Sequence, residues 1–156
     1  MKSDVYLRDV KEEDLPIFFE HQRDKDAIQM AAFRPRDREA FMEHWTINIL
    51  SNKSVSKKTI LFKGLVVGNI VSWEQSGKQE VGYWIGKEYW GKGIATSALS
   101  EFLRFLKVRP LYAHVAKHNI GSLKVLEKSG FKISGNIKEF SKEFSQEIEG
   151  YILKLK

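Results

Sequence analysis

Tyr83-Trp84-Ile85-Gly86-Lys87-Glu88-Tyr89-Trp90-Gly91-Lys92-Gly93-Ile94-Ala95-Thr96 is the stretch from which the rest of the chain can be read. A β-type run, Glu80 to Ile85, feeds a short loop in which one lysine separates Gly91 from Gly93, and a helix begins at once. A strand that delivers glycines to a helix start places several backbone N–H groups around an anion, with the helix dipole behind them. Glycine permits close approach because no Cβ shields its amide, and it accepts the positive φ that such a nest uses. The stretch therefore predicts a phosphorylated ligand.

Two familiar phosphate loops do not fit. The mononucleotide loop needs four residues between its first glycine and Gly-Lys-Ser/Thr, whereas Gly91-Lys92-Gly93 is followed by Ile94. The dinucleotide fingerprint wants a third small residue where Thr96 stands, and it follows the first strand of a parallel sheet, not a strand in mid-chain.

Downstream, Leu111-Tyr112-Ala113-His114-Val115-Ala116 reads as a buried strand after the helix stop Pro110. Asn119-Ile120-Gly121-Ser122 then opens a helix, Leu123 to Ser129, which Gly130 and Phe131 end. Asn119 suits an N-cap, and Gly130 suits the residue just past the C-terminus.

Together these segments resemble the GNAT superfamily of N-acetyltransferases. Trp90-Gly91-Lys92-Gly93-Ile94-Ala95 is similar to that family's Gln/Arg-x-x-Gly-x-Gly/Ala pyrophosphate loop, with Trp90 in place of the usual Gln or Arg. That departure looks like the branch of the ribosomal-protein N-terminal acetyltransferases. It leaves the backbone amides to carry most of the phosphate binding. The later Asn-x-x-Ser followed by Leu-Glu-Lys-x-Gly-Phe also looks like the family's next segment. The resemblance implies acetyl-CoA as acyl donor and a single N-acetyltransferase domain over residues 1–156. It implies a mixed, mostly antiparallel central sheet flanked by helices. It assigns cofactor binding to Trp84 and Ile85 at the strand end, to Trp90, Gly91, Lys92, Gly93, Ile94, Ala95 and Thr96, and to Asn119 and Ser122. Asn119 would contact the pantetheine region, and Ser122 would approach the sulfur.

Size and composition agree with an ordinary globular domain: 156 residues, 42% hydrophobic and 29% charged. There is no cysteine, which excludes disulfides, thiolate metal sites and a cysteine nucleophile. Met1 to Val5 lacks an apolar signal core and no run reaches the length that spans a bilayer, so a cytoplasmic protein without a membrane partner is expected. The net charge of +6 suits either solubility or a polyanionic ligand such as coenzyme A. The lysines are scattered, not clustered with stacking aromatics, which argues against nucleic acid. Their densest stretch, Lys53 to Lys58, reads as a solvated loop. A monomer and a homodimer both stay open.

The order of elements is α+β. Val5 to Leu7 suggests a first strand. Asp9 with Glu12 suggests a capping box for a helix carrying Leu15, Ile17, Phe18 and Phe19 on its apolar side. Pro35 interrupts, and Phe41, Trp45 and Ile49 mark a second helix from about Asp37 to Leu50. Strands follow at Thr59–Phe62 and Leu65–Trp73 about a Lys63-Gly64 turn, then at Glu80–Ile85 after Ser76-Gly77. Ala95, Leu99, Phe102, Leu103 and Leu106 stripe the helix after the glycine loop. Two strands, about Phe131–Phe140 and Gln146–Leu155, close the chain.

Acetyl transfer to an amine needs a placed thioester, a deprotonated amine and a proton for the leaving thiolate. Lysine-type amines ionise near 10.4 and α-amines near 8, so a general base is useful. The resemblance implies direct attack in a ternary complex with no acyl-enzyme. His114 is the first candidate base, at a position where related enzymes often carry a glutamate; a histidine turned into the core or bonded to backbone is the alternative. Glu80 is the second, sharing a strand face with Gly82 and Trp84, against the alternative of a solvated strand end; Glu74 is weaker. Ser122 is the candidate proton donor, or else a first-turn serine bonded to backbone. The family's more common donor is a tyrosine where Leu126 stands, which puts that mechanism in doubt. Tyr83, Trp84 and Trp90 line the groove or belong to the core, and Lys92, Lys124 and Lys128 meet phosphates or solvent. His114 and His118 flank a strand end without a third ligand, so no metal site is read. For the acceptor amine, a peptide N-terminus or a small molecule, Phe33, Trp45, Trp73 and Phe140 would form an apolar wall. Glu139, Glu143 and Glu147 would attract a cation. A catalytically silent acyl-CoA-binding module and a nucleic-acid-binding protein are the other classes.

Overall fold

The structure, a computed structural model, describes residues 4–32, 36–141 and 146–156, without the side chains of residues 139–141. Seven strands form one sheet in the order β1-β2-β3-β4-β5-β7-β6. They are β1 (Val5–Arg8), β2 (Ser56–Phe62), β3 (Leu65–Gln75), β4 (Lys78–Ile85), β5 (Leu111–Ala116), β6 (Lys132–Ser141) and β7 (Gln146–Leu155). Every neighbouring pair is antiparallel except β4 and β5. That parallel pair needs a crossover, and α4 (Ile94–Phe105) supplies it. The α+β expectation with a mixed, mostly antiparallel sheet therefore holds.

Two cores cover the two faces. On one face α4 and α5 (Ile120–Lys128) bury Leu99, Phe102 and Leu126 against Ile70, Val81, Leu111, Ala113 and Leu153. On the other face α1 (Leu15–Gln22) and α3 (Arg38–Glu43) bury Phe18, Phe19 and Phe41 with Trp45, against Val71 and partly buried Trp73. The alternation of Ile70 and Val71 between the cores is the period of two that a sheet imposes.

Local differences from the sequence reading have physical causes. Asp9 does not cap the first helix; it pairs with Lys58 at 2.8 Å. A 3₁₀ turn over Glu12–Asp14 leads into the helix, and the Asp14 carboxylate at its end closes that turn by accepting the Lys11 N–H at 2.9 Å. Ile17 turns outward, 39% exposed. The second helix runs as α3 and then winds as a π-helix over His44–Leu50, with Ser51 N–H reaching the Thr46 carbonyl five residues back. A helix that the sequence reading missed, α2 (Lys25–Ala31), follows α1, with the Asp24 carboxylate capping the Ala27 N–H. Lys57 and Lys58, read as loop, belong to β2. Pro35, read as a helix break, lies outside the described residues.

Asp14 anchors β1 and β2 to the start of α1. Its buried carboxylate accepts from Arg8 at 2.7 and 2.9 Å and from the Thr59 hydroxyl at 2.7 Å. Burial opposes its ionisation, but the Arg8, Lys11 and Thr59 donors prevail and bring it from 3.8 down to about 2. A depressed carboxylate contributes stability above its unfolded value and loses it as the pH falls through the folded one. We expect about 2 kcal/mol to vanish between pH 4 and pH 2. Thermal melts across that range should show the loss in the wild type and a flatter curve in Asp14→Asn.

Candidate active site

β4 and β5 share only two register pairs, Gln79↔Leu111 and Glu80↔Tyr112. Beyond them the strands part, because each is held by its outer neighbour. β4 stays zipped to β3 from Lys78 to Ile85, and β5 stays zipped to β7 from Leu111 to Ala116. The result is a fork that opens between β4 and β5 beyond those two pairs.

A cavity of about 710 Å³ enters this fork. The glycine loop forms one wall. Gly91 and Gly93 sit at φ +77° and +76°, and a Cβ on either would meet no protein atom within 4 Å. Gly93 is the N-cap of α4, so the first-turn amides of Ile94, Ala95 and Thr96, all lining the cavity, lack intrahelical acceptors. Positive-φ glycines, first-turn amides and a twelve-residue helix dipole come together here, an arrangement suited to an anion. The Trp90 indole N–H is bonded to the Ile85 carbonyl at 3.0 Å, so its polar atom is already engaged.

The opposite wall is the start of α5. The Asn119 side chain accepts the Ser122 N–H at 3.2 Å as an N-cap, and Lys124 and Lys128 line the cavity with positive charge. The Ser122 hydroxyl reaches across to the Tyr83 hydroxyl at 2.7 Å, not to its own helix backbone. Burial pushes the Tyr83 phenol up to about 12. Of the residues that the sequence assigned to the cofactor, all but the exposed Lys92 line this cavity.

The candidate bases meet at the vertex of the fork. His114 Nε2 and Glu80 Oε1 stand 3.4 Å apart, the carboxylate buried and the imidazole about half exposed. Register places Glu80, Gly82 and Trp84 opposite Trp73, Val71 and Asn69, so they face the α1 and α3 side, as strand alternation predicts. His114 follows Tyr112, the partner of Glu80, by two residues and shares that face. Neither acid–base candidate lines the 710 Å³ cavity; they adjoin it through Trp84. Glu74 lies on the other side of the strand, exposed.

α2 contributes what the sequence reading lacked. It stands across the fork, lining the cavity with Ala27, Met30 and Ala31. One tether runs to each arm: Asp26 pairs with Lys87 beyond β4, and the Gln29 carbonyl accepts from His118 Nε2 at 2.9 Å beyond β5. His118 thus fastens a helix. Only Ala27 of α2 is buried in the core, so its hydrophobic pattern carried little signal.

The expected acceptor wall is only partly present. Trp45 is buried against Phe18, with ring centroids 5.0 Å apart, and cannot line a cleft. Phe33, Glu143 and the side chains of Glu139 and Phe140 lie outside the described residues. Glu147 pairs with Lys138 at 4.0 Å. Register puts Glu147 opposite Phe140, on the sheet face away from His114, so it does not attract an amine there.

A family model for an acetyltransferase (GNAT) domain matches residues 4–132. A curated relative from Bacillus licheniformis, the uncharacterized N-acetyltransferase p20, is 28% identical over 86 residues, 53% of this chain and 48% of that protein. The match spans about half that relative's length. Among solved structures, a putative phosphinothricin N-acetyltransferase superposes with a TM-score of 0.80 at 25% identity, covering 96% of each chain. The spermidine N-acetyltransferase from Vibrio cholerae, in complex with CoA and spermine, gives 0.85 at 18% identity over 99% of this chain and 96% of that one.

Proposed function

The chain belongs to the acetyltransferase (GNAT) domain family, and from that premise we propose that it transfers an acetyl group from acetyl-CoA directly to a primary amine within a ternary complex. The observation that carries this reading is the pair of left-handed glycines whose open side faces the cavity entering the β4/β5 fork. The thioester supplies an activated acyl carbon; the residues of the chain do the rest. Amides of the loop and of the first turn of α4 hold the pyrophosphate, and the fork edges hold the extended pantetheine arm. His114 takes the amine proton, with the Glu80 carboxylate 3.4 Å from Nε2 stabilising the imidazolium that forms. Ser122 returns a proton to the sulfur.

The acceptor class is a primary amine, either a small molecule or a protein N-terminus. Structures with the same fold include a spermidine N-acetyltransferase and a putative phosphinothricin N-acetyltransferase. Besides Glu80, the sheet face that carries His114 holds Lys78 and Lys154, 5.0 and 5.8 Å from the Tyr112 ring centroid. Amines that also carry a carboxylate therefore belong in an acceptor panel beside polyamines and peptides.

Calorimetric titration with acetyl-CoA is the test. We expect micromolar binding, followed by amine-dependent release of free thiol against no background, since the chain has no cysteine. Absence of binding would overturn the acetyltransferase reading. Binding without turnover on any amine would favour a silent acyl-CoA-binding module.

A further inference from the structure

Leu126, at the position where related enzymes commonly carry a donor tyrosine, is buried in the core at 2% exposure and offers no hydroxyl. A phenol nevertheless stands at the cavity wall, delivered by the opposite strand. Tyr83 on β4 lines the cavity and places its hydroxyl 2.7 Å from Ser122 Oγ on α5, across the mouth of the fork. We propose that Tyr83 is the positioning residue and proton source behind Ser122, so that the pair, not the serine alone, protonates the departing thiolate. This rests on the reading of the cavity as the acetyl-CoA site.

The 2.7 Å contact admits either hydroxyl as donor, and the Tyr83 hydroxyl also lies 3.5 Å from the Ser122 carbonyl. A phenol is a far stronger acid than an aliphatic alcohol, so in the relay the Tyr83 O–H donates and Ser122 Oγ accepts. The serine hydrogen is then turned away from Tyr83. Burial keeps the phenol protonated through the neutral range, which keeps it a donor. In the reaction the amine nitrogen bonds to the acyl carbon as the C–S bond breaks and its electron pair leaves on sulfur. Sulfur takes the Ser122 proton, Ser122 takes the Tyr83 proton, and water reprotonates the tyrosinate. The amine proton has meanwhile left through His114.

The test needs no acceptor and uses CoA itself as probe. Because the chain lacks cysteine, the only thiolate in the complex belongs to CoA. Its difference absorbance is titrated against pH, with the desulfo-CoA complex as blank. Hydrogen-bond donors to the charged form lower a pKa. Tyr83→Phe is expected to raise the apparent pKa of the bound thiol by about one unit, about tenfold less thiolate at a given pH. CoA affinity should stay within about twofold, because the phenol touches the serine and not the phosphates. Ser122→Ala should give a shift of the same size, and the double variant no more, since both act on one path. The other titrating groups that face this wall, Tyr89, His118, Lys124 and Lys128, are common to all the proteins compared. Should Tyr83→Phe fail to fold, 3-fluorotyrosine at position 83 keeps the ring and sharpens its acidity, and the curve should move the opposite way. Superimposable titrations with CoA bound equally would overturn the role of Tyr83 while leaving the cofactor reading intact. Failure of the wild type to bind CoA would overturn both.

Discussion

Gly93→Val is expected to abolish acetyl-CoA binding while leaving the fold in place. Gly93 caps α4 at φ +76°, a conformation that costs an L-residue roughly 1–2 kcal/mol and a β-branched one more. No protein atom lies within 4 Å of the added Cβ, so the interior does not have to move. The space it fills is the space above the first-turn amides of Ile94 and Ala95, where the pyrophosphate is proposed to lie. Displacing a phosphate from two charge-assisted hydrogen bonds, at about 1.5–3 kcal/mol each, weakens binding by at least about a hundredfold. Gly64 provides the control. It sits at φ +81° in the β2–β3 turn, also with open space at its Cβ, and far from the fork in the chain. Gly64→Val carries the same backbone strain and should lower the melting temperature comparably, yet bind acetyl-CoA as the wild type does. Equal affinity in Gly93→Val and wild type, measured by calorimetry, would move the phosphate site elsewhere.

What was legible in the sequence was local chemistry. Two glycines around one lysine announce a left-handed loop, and Asn119 announces a helix start, because the conformations they permit are set within a few residues. The contacts proposed to serve catalysis are not of that kind. Glu80 and His114 meet because the strands share two register pairs at one end and then diverge, and periodicity in either strand alone does not reveal this. Tyr83 and Ser122, 39 residues apart, meet because α5 starts against β4. Strand alternation did place Glu80 on the correct face, but not its burial, which removes the reading of a solvated strand end. α2 escaped notice since it packs on the fork with few core side chains and is held largely by polar tethers. A polar tether has no hydrophobic period to find.

His114→Ala is expected to lower kcat by about a hundredfold or more, the scale of a lost general base. Acetyl-CoA affinity should be unchanged, since His114 does not line the cofactor cavity. The wild-type pH–rate profile should show an acidic limb, because only the neutral imidazole accepts a proton, and the variant should lose it. His114→Gln separates chemistry from packing: it keeps a donor for the buried Glu80 carboxylate without supplying a base. Glu80→Gln discriminates between the two members of the pair. If Glu80 only orients the imidazole and stabilises its cation, its loss costs less than the loss of His114 and the acidic limb persists. If the carboxylate itself takes the amine proton, Glu80→Gln is the more damaging variant and His114→Gln keeps most of the rate. Burial favours the first order of roles. The carboxylate is enclosed beside its histidine, whereas the imidazole is about half exposed on the sheet face from which an acceptor would approach.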